Sequence, residues 1–107
     1  MKQITARELH ALLGANTAHK PLLLDVREAW EFAICQIDGA RNVPMAQVPT
    51  VLPELDTAAP TVVICHIGLR SAQVADYMER CGFSDVTNLE GGIDAWAREV
   101  DPSTPTY

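Results

Sequence analysis

Long hydrophobic runs and basic side chains are both scarce in this sequence. No stretch of the 107 residues approaches the roughly 20 apolar residues of a membrane span, and the N-terminus lacks the apolar centre of a signal peptide. Only 8 Lys and Arg oppose 14 Asp and Glu, which leaves a net charge of −6. Nucleic acids and anionic membranes bind basic surfaces, so neither is an expected partner. We expect a cytoplasmic protein.

Cysteine is also sparse. Cys35, Cys65 and Cys81 are odd in number and widely spaced, which suits neither a disulfide framework nor a zinc site, so we expect free thiols. With 48% hydrophobic residues, the chain can bury a core without such cross-links. We predict one domain over residues 1–107, in which the proline-containing residues 100–107 form an irregular tail.

Short strand-like and helix-like segments alternate along the chain. Thr5 and Glu8 form a capping box that predicts the start of the first helix. Alternation of this kind implies an α/β fold, with a parallel sheet covered by helices on both faces. Ligands then bind at the carboxyl ends of the strands. The predicted strands are 21–26, 41–44, 61–65 and 85–89, and the predicted helices are 6–14, 28–33, 46–52, 71–81 and 91–98.

Cys65 follows the apolar, β-branched run 61–64 and precedes a helix predicted from Ser71. Gly68, between them, permits a tight or left-handed turn. The amides of such a loop and the positive end of the helix dipole favour an anion. Since helix N-termini and nearby cations favour the thiolate form of cysteine, we predict that Cys65 is a nucleophile.

Arg70 supplies a permanent positive charge to this loop. It can bind an anionic substrate or hold the loop, and His66 can add a second donor at the mouth. Four residues separate Cys65 from Arg70. The signature loop of cysteine phosphatases is one residue longer, which gives a ring of amides wide enough for phosphate. The smaller ring here fits one additional sulfur atom better.

The segment Cys65-His-Ile-Gly-Leu-Arg-Ser71 resembles the CxxGxR(S/T) active loop of single-domain rhodaneses, which are similar to thiosulfate sulfurtransferases. Leu-Leu-Asp-Val-Arg-Glu at 23–28, Ile-Asp-Gly-Ala-Arg-Asn-Val-Pro at 37–44 and Leu-Glu-Gly-Gly-Ile-Asp-Ala-Trp at 89–96 resemble three further blocks of that family, in the same order. The resemblance covers nearly the whole chain. It implies a three-layer domain with a mostly parallel sheet of about five strands.

The resemblance also implies a sulfur transfer in two steps. Cys65 would take the outer sulfur of thiosulfate or a similar small anionic donor as a persulfide, which cyanide or a thiol acceptor would then remove. The acceptor could be a protein in a sulfur relay. No metal or organic cofactor is needed. Besides Cys65, Arg70 and His66, the implied site contains the backbone of Ile67, Gly68, Leu69 and Ser71.

Two other functions stay open. A non-catalytic rhodanese-like binding or regulatory module is the first, although such modules commonly lose the loop cysteine. A cysteine phosphatase or arsenate reductase is the second, and the loop length argues against it. The chain also departs from the family at Cys35 and Gln36, where glycine and histidine are usual; these positions flank the active loop and do not form it.

The remaining chemically versatile residues are assigned structural or surface roles. Asp25 and Arg27 are expected to form a structural hydrogen bond or ion pair at the end of a strand. For Cys35 and Cys81 we favour packing, with a resolving thiol as the alternative for Cys35. Solvated helix surfaces are predicted for Glu28, Glu31, Asp94 and Glu99, core or rim positions for Trp30 and Trp96, and surface positions for His10 and His19.

Overall fold

The computed structural model describes residues 1–15 and 20–107. His19 lies outside these residues, and His10 is exposed with its ring edge-on to Trp96. The strands are β1 (Lys2–Ile4), β2 (Leu22–Asp25), β3 (Arg41–Asn42), β4 (Thr61–Ile64) and β5 (Val86–Leu89). The helices are α1 (Ala6–Gly14), α2 (Ala29–Ile34), α3 (Val48–Val51), α4 (Leu69–Arg80) and α5 (Gly92–Glu99), and short 3-10 turns (Met45–Gln47 and Leu52–Glu54) flank α3.

The five strands form one sheet in the order β1-β5-β4-β2-β3, and each pairing in the described residues is parallel. Successive side chains of a strand point to opposite faces. Accordingly, Val63 of β4 joins a cluster with α3 and α4, whereas Val62 and Ile64 join a second cluster with α1 and α5. Apolar layers therefore cover both faces of the sheet, and the α/β three-layer prediction is confirmed.

Most predicted elements are found within two residues of their expected bounds. The capping box of α1 is present, since the Thr5 amide donates to Glu8 Oε1 at 2.9 Å and the Glu8 amide donates to Thr5 Oγ1 at 3.1 Å. Helix α4 begins at Leu69, two residues earlier than predicted, because Gly68 makes the left-handed turn directly before it. The local signals in the sequence were therefore sufficient for these segments.

Two differences from the sequence predictions concern β1 and Cys81. Strand β1 was not predicted, because Lys2 and Gln3 are exposed and an edge strand of three residues shows no apolar pattern. This strand forms through its pairing with β5. Cys81 was predicted to pack, but it is exposed at the end of α4. No helix in residues 1–15 and 20–107 is long and apolar enough to cross a membrane.

The parallel register aligns the carboxyl ends of the central strands. Asp25 of β2 is paired with Ile64 of β4, so the chain leaves both strands at one edge of the sheet. Arg27 follows β2, and Cys65 follows β4 directly. This edge carries the residues described next.

Candidate active site

Cys65 lies at the base of a short loop between β4 and α4. Its side chain is buried, and the Gly68 amide donates a hydrogen bond to its Sγ at 3.1 Å. The φ angle of Gly68 is +99°, in the left-handed region that favours glycine, and α4 begins at the next residue. The loop therefore directs the Gly68 amide at the sulfur immediately before the first turn of α4.

A second helix holds this loop from the opposite side. The Ile93 amide of α5 donates to the carbonyl of Cys65 at 2.9 Å, and the Asp94 amide donates to the carbonyl of His66 at 3.0 Å. Gly92 has φ +60°, and a Cβ atom there would lie 2.5 Å from the Cys65 carbonyl oxygen. A glycine at 92 therefore lets the first turn of α5 approach the loop closely.

Ser71 and Asn88 link the sulfur to the sheet. Ser71 Oγ lies 3.2 Å from Cys65 Sγ and donates to Asn88 Oδ1 at 2.5 Å. The side-chain amide nitrogen of Asn88, Nδ2, donates to the carbonyl of Gly68 at 3.3 Å and to Gln3 Oε1 at 3.0 Å. These bonds orient the Asn88 side chain with its oxygen toward Ser71. Sequence reasoning missed Asn88, whose only signal was a polar side chain inside a buried strand.

Arg70 is paired with a buried carboxylate. Its Nη1 and Nη2 donate to Glu31 Oε1 and Oε2 at 2.7 and 2.8 Å. Hydrogen bonds from Arg70 lower the pKa of Glu31 to about 2. The prediction of a solvated surface position for Glu31 is wrong, because only 4% of the residue is exposed. Of the two roles predicted for Arg70, the geometry favours holding the loop.

The C-terminal tail packs against the site. Tyr107 donates from its hydroxyl to Glu31 Oε2 at 2.8 Å and accepts from Arg27 Nη1 at 3.1 Å. Its ring stacks on His66, with ring centroids 4.2 Å apart. Burial raises the pKa of Tyr107 to about 12. Residues 101–107 are irregular and mostly exposed, and their last side chain is anchored beside the loop by these contacts.

Arg27 and Asp25 form a fully buried ion pair under the site. Arg27 Nε and Nη2 donate to the two carboxylate oxygens of Asp25 at 2.9 and 2.7 Å, and Nη2 also donates to the carbonyl of Cys35 at 2.7 Å. Both charged side chains are 0% exposed. This agrees with the structural role predicted for the pair. Cys35 is buried beside Arg27, with its Sγ 3.7 Å from Nη1.

Apolar side chains surround the mouth of the loop. Ile67 and Leu69, on either side of Gly68, are 52% and 68% exposed. Trp30 of α2 is 63% exposed and meets the Tyr107 ring edge-on. Trp30 is thus a rim residue, whereas Trp96 is buried in the core. The entrance to Cys65 is consequently more apolar than the charge of the chain suggests.

Together these features form a site that can support nucleophilic chemistry by a thiolate. The Gly68 amide and the N-terminus of α4 favour negative charge at Cys65 Sγ. Arg70 is nearby, but its charge is balanced by Glu31. The site residues predicted from sequence, from Cys65 through Ser71, all lie within this one loop and the first turn of α4.

Comparison with protein families matches this chain to the rhodanese-like domain over residues 5–99. Thiosulfate sulfurtransferase GlpE of Pseudomonas aeruginosa is 37% identical over 81 residues, which cover 76% of this chain and 73% of that protein. Rhodanese-like/PpiC domain-containing protein 12 of Arabidopsis thaliana is 37% identical over 112 residues, which cover 100% of this chain and 38% of that protein.

Among solved structures, a rhodanese-like domain protein from Staphylococcus aureus has a TM-score of 0.84 and 35% identity, covering 94% of this chain and 95% of that one.

Among curated proteins, the probable adenylyltransferase/sulfurtransferase MoeZ of Mycobacterium tuberculosis is 37% identical over 106 residues, which are 26% of its length. The chain spans 38% or less of the length of the first curated relatives that it matches.

Proposed function

This chain belongs to the rhodanese-like family, and from that premise we propose that it is a sulfurtransferase that carries a sulfane sulfur on Cys65. Several of its curated relatives are named sulfurtransferases. The observation that carries the proposal is the placement of Cys65 Sγ, which accepts the Gly68 amide at 3.1 Å where β4 leads into α4. A buried packing cysteine does not require such a donor.

In the first step, the Cys65 thiolate attacks the outer sulfur of thiosulfate or a similar donor. The new S–S bond forms as the S–S bond of the donor breaks, and sulfite leaves with the bonding electron pair. The product is an anionic persulfide on Cys65. The Gly68 amide, which already donates to Cys65 Sγ, supports stabilisation of that charge, as preorganised donors do at developing anions.

In the second step, the acceptor attacks the outer sulfur of the persulfide. The bond between the two sulfurs breaks, and its electron pair returns to Cys65 as thiolate. Cyanide leaves as thiocyanate, and a thiol leaves as an organic persulfide. Relatives such as MoeZ combine sulfurtransferase and adenylyltransferase in their names, which supports a protein acceptor in a relay as one form of this step. A cytoplasmic location stays part of the proposal.

Ser71 must change its hydrogen bond during this cycle. In the structure its hydroxyl donates to Asn88 Oδ1, so its oxygen faces the Cys65 sulfur as an acceptor. A thiolate or persulfide anion needs a donor instead. We therefore expect the Ser71 hydroxyl to rotate toward the sulfur when the anion forms.

Intact-mass analysis after incubation with thiosulfate tests the proposal. One sulfur atom should add about 32 Da to the wild-type chain, through attack by the thiolate. Cys65→Ser should show no adduct and no transfer to cyanide, whereas Cys81→Ser should retain both, because Cys81 lies at the far end of α4. Sulfur transfer by the Cys65→Ser variant would refute the mechanism.

The same measurements separate the two alternatives. A non-catalytic module would form no adduct with any sulfane-sulfur donor, although it would keep its fold. A phosphatase would hydrolyse a phosphate ester without gaining sulfur. The loop of four residues between Cys65 and Arg70 supports neither alternative over sulfur transfer.

A further inference from the structure

The positive charge beside the loop is already neutralised. Both terminal nitrogens of Arg70 bind the carboxylate of Glu31, at 2.7 and 2.8 Å, and Glu31 also accepts from Tyr107. In residues 1–15 and 20–107, every arginine lies within 4.0 Å of a carboxylate. The pairs are Arg7–Glu99, Arg27–Asp25, Arg41–Glu54, Arg70–Glu31, Arg80–Asp76 and Arg98–Asp94.

This arrangement is poorly suited to an inorganic dianion. Thiosulfate carries two negative charges, which it must partly desolvate to reach a buried sulfur. To compensate that cost with Arg70, it would have to compete with a carboxylate that already holds both guanidinium nitrogens in bidentate geometry. A chain with a net charge of −6 adds no long-range attraction for anions.

The rim indicates what the site accepts instead. Ile67 and Leu69 extend into solvent on both sides of Gly68, and Trp30 is exposed on the helix that carries Glu31. Tyr107 connects Trp30 to His66 through ring contacts. Such a surface gains free energy by covering an apolar group attached to the donor, and it gains nothing from a second anionic oxygen.

We propose that the preferred sulfur donor of this site is organic, with an apolar body and at most one negative charge, and that Glu31 is the residue that disfavours inorganic thiosulfate. Organic persulfides and thiosulfonates both have this chemistry. The inference rests on the proposed sulfurtransferase function and narrows its substrate class. Glu31 acts through Arg70 and does not touch the reacting sulfur, so it is a specificity-determining residue.

Loading by an organic thiosulfonate follows the same balance as loading by thiosulfate. The Cys65 thiolate attacks the terminal sulfur, the S–S bond of the donor breaks, and a sulfinate leaves with the electron pair. One negative charge stays on the persulfide and one leaves on the sulfinate. No oxidant, reductant or further reactant is required.

Benzenethiosulfonate and thiosulfate form a matched pair of probes, because a phenyl group in one replaces a charged oxygen in the other. Single-turnover loading rates at Cys65 are measured by intact mass, and each is divided by the rate of the same donor with a small free thiol. The wild-type ratio should favour benzenethiosulfonate by about tenfold or more. Glu31→Gln keeps the shape and one acceptor oxygen but frees the charge of Arg70.

In Glu31→Gln, the ratio of thiosulfate loading to benzenethiosulfonate loading should rise about tenfold, because the freed charge acts mainly on the second anionic group, whereas a loosened loop would slow both donors. Glu54→Gln, which releases Arg41 at the surface, is the control for net charge and should leave the ratio unchanged. In an Arg70→Met background, Glu31→Gln should no longer favour thiosulfate, since the effect operates through Arg70.

The outcomes distinguish this inference from the function on which it rests. If neither donor adds sulfur to wild-type Cys65, the sulfurtransferase proposal fails. If both donors load and the normalised wild-type ratio favours thiosulfate, only the substrate inference fails. A ratio that favours benzenethiosulfonate but is unchanged in folded Glu31→Gln overturns the role of Glu31. The wild-type comparison remains decisive should Glu31→Gln prove unstable.

Discussion

Replacement of Gly92 by alanine tests whether close contact between α5 and the Cys65 loop holds the site. Gly92 has φ +60°, and a Cβ atom there would overlap the carbonyl oxygens of both Cys65 and His66. Those carbonyls accept the amides of Ile93 and Asp94. Because the obstructing atoms belong to the backbone, the loop or the helix has to move to relieve the overlap.

The magnitude follows from two contributions. A left-handed alanine costs about 1 kcal/mol relative to glycine. Loss of both carbonyl hydrogen bonds adds about 1 kcal/mol each, so Gly92→Ala should destabilise the domain by about 3 kcal/mol. Gly82→Ala is the matched control, since Gly82 has φ +97° but no heavy atom within 4 Å of its Cβ position. It should cost about 1 kcal/mol.

Urea and thermal unfolding measure this difference. For a domain of this size, 1 kcal/mol lowers Tm by about 4 °C, so Gly92→Ala should melt about 8 °C below Gly82→Ala. Sulfur loading at Cys65 should fall in Gly92→Ala at temperatures where it is still folded, because the carbonyl of Cys65 moves. Equal unfolding free energies for the two variants would refute the argument from contact.

Two further predictions concern buried charge. Asp25→Asn leaves the 0% exposed Arg27 without its counterion and should destabilise the domain by about 3–5 kcal/mol in urea unfolding. The control Asp76→Asn, at the surface, should cost less than about 0.5 kcal/mol. Similar losses of stability in the two variants would contradict the burial of the Asp25–Arg27 pair. Hydrogen bonds from Arg70 lower the pKa of Glu31 from 4.5 to about 2. The Arg70–Glu31 pair therefore contributes its full stabilisation above pH 4.5. This stabilisation is lost as the pH falls toward 2, because Glu31 becomes protonated. The unfolding free energy of Glu31→Gln should therefore lack this part of the acid slope between those pH values, and an unchanged slope would rule out the pair as its source.

Local signals in the sequence predicted most of the fold. The capping box at Thr5 and Glu8 places the start of α1, and the apolar run before Cys65 corresponds to the buried strand β4. Gly68 marks the left-handed turn into α4. These features depend on backbone preferences and on burial within a few residues, and the local sequence determines both. Strand β1 was missed because its only cause is pairing with β5, far along the chain.

In the candidate site, too, the local features could be predicted from sequence, whereas the contacts between distant segments could not. Spacing alone put Cys65, Gly68 and Arg70 in one loop, since four residues between the first and the last leave little choice. Sequence could not show that Arg70 binds Glu31, which is 39 residues away. Glu31 looked like part of an acidic helix surface, because helical position alone does not reveal which face another loop covers.

By itself, the sequence determined most of the strands and helices and the number of residues between Cys65 and Arg70, because each is a local property of the chain. Tertiary structure alone decided the charge balance and the rim of the site. Glu31 neutralises Arg70, Asn88 takes the hydroxyl hydrogen of Ser71, and Tyr107 reaches Glu31 across 76 residues. Such partners are set by packing of distant segments in three dimensions, and a buried charge or hydroxyl must find them wherever the fold brings them.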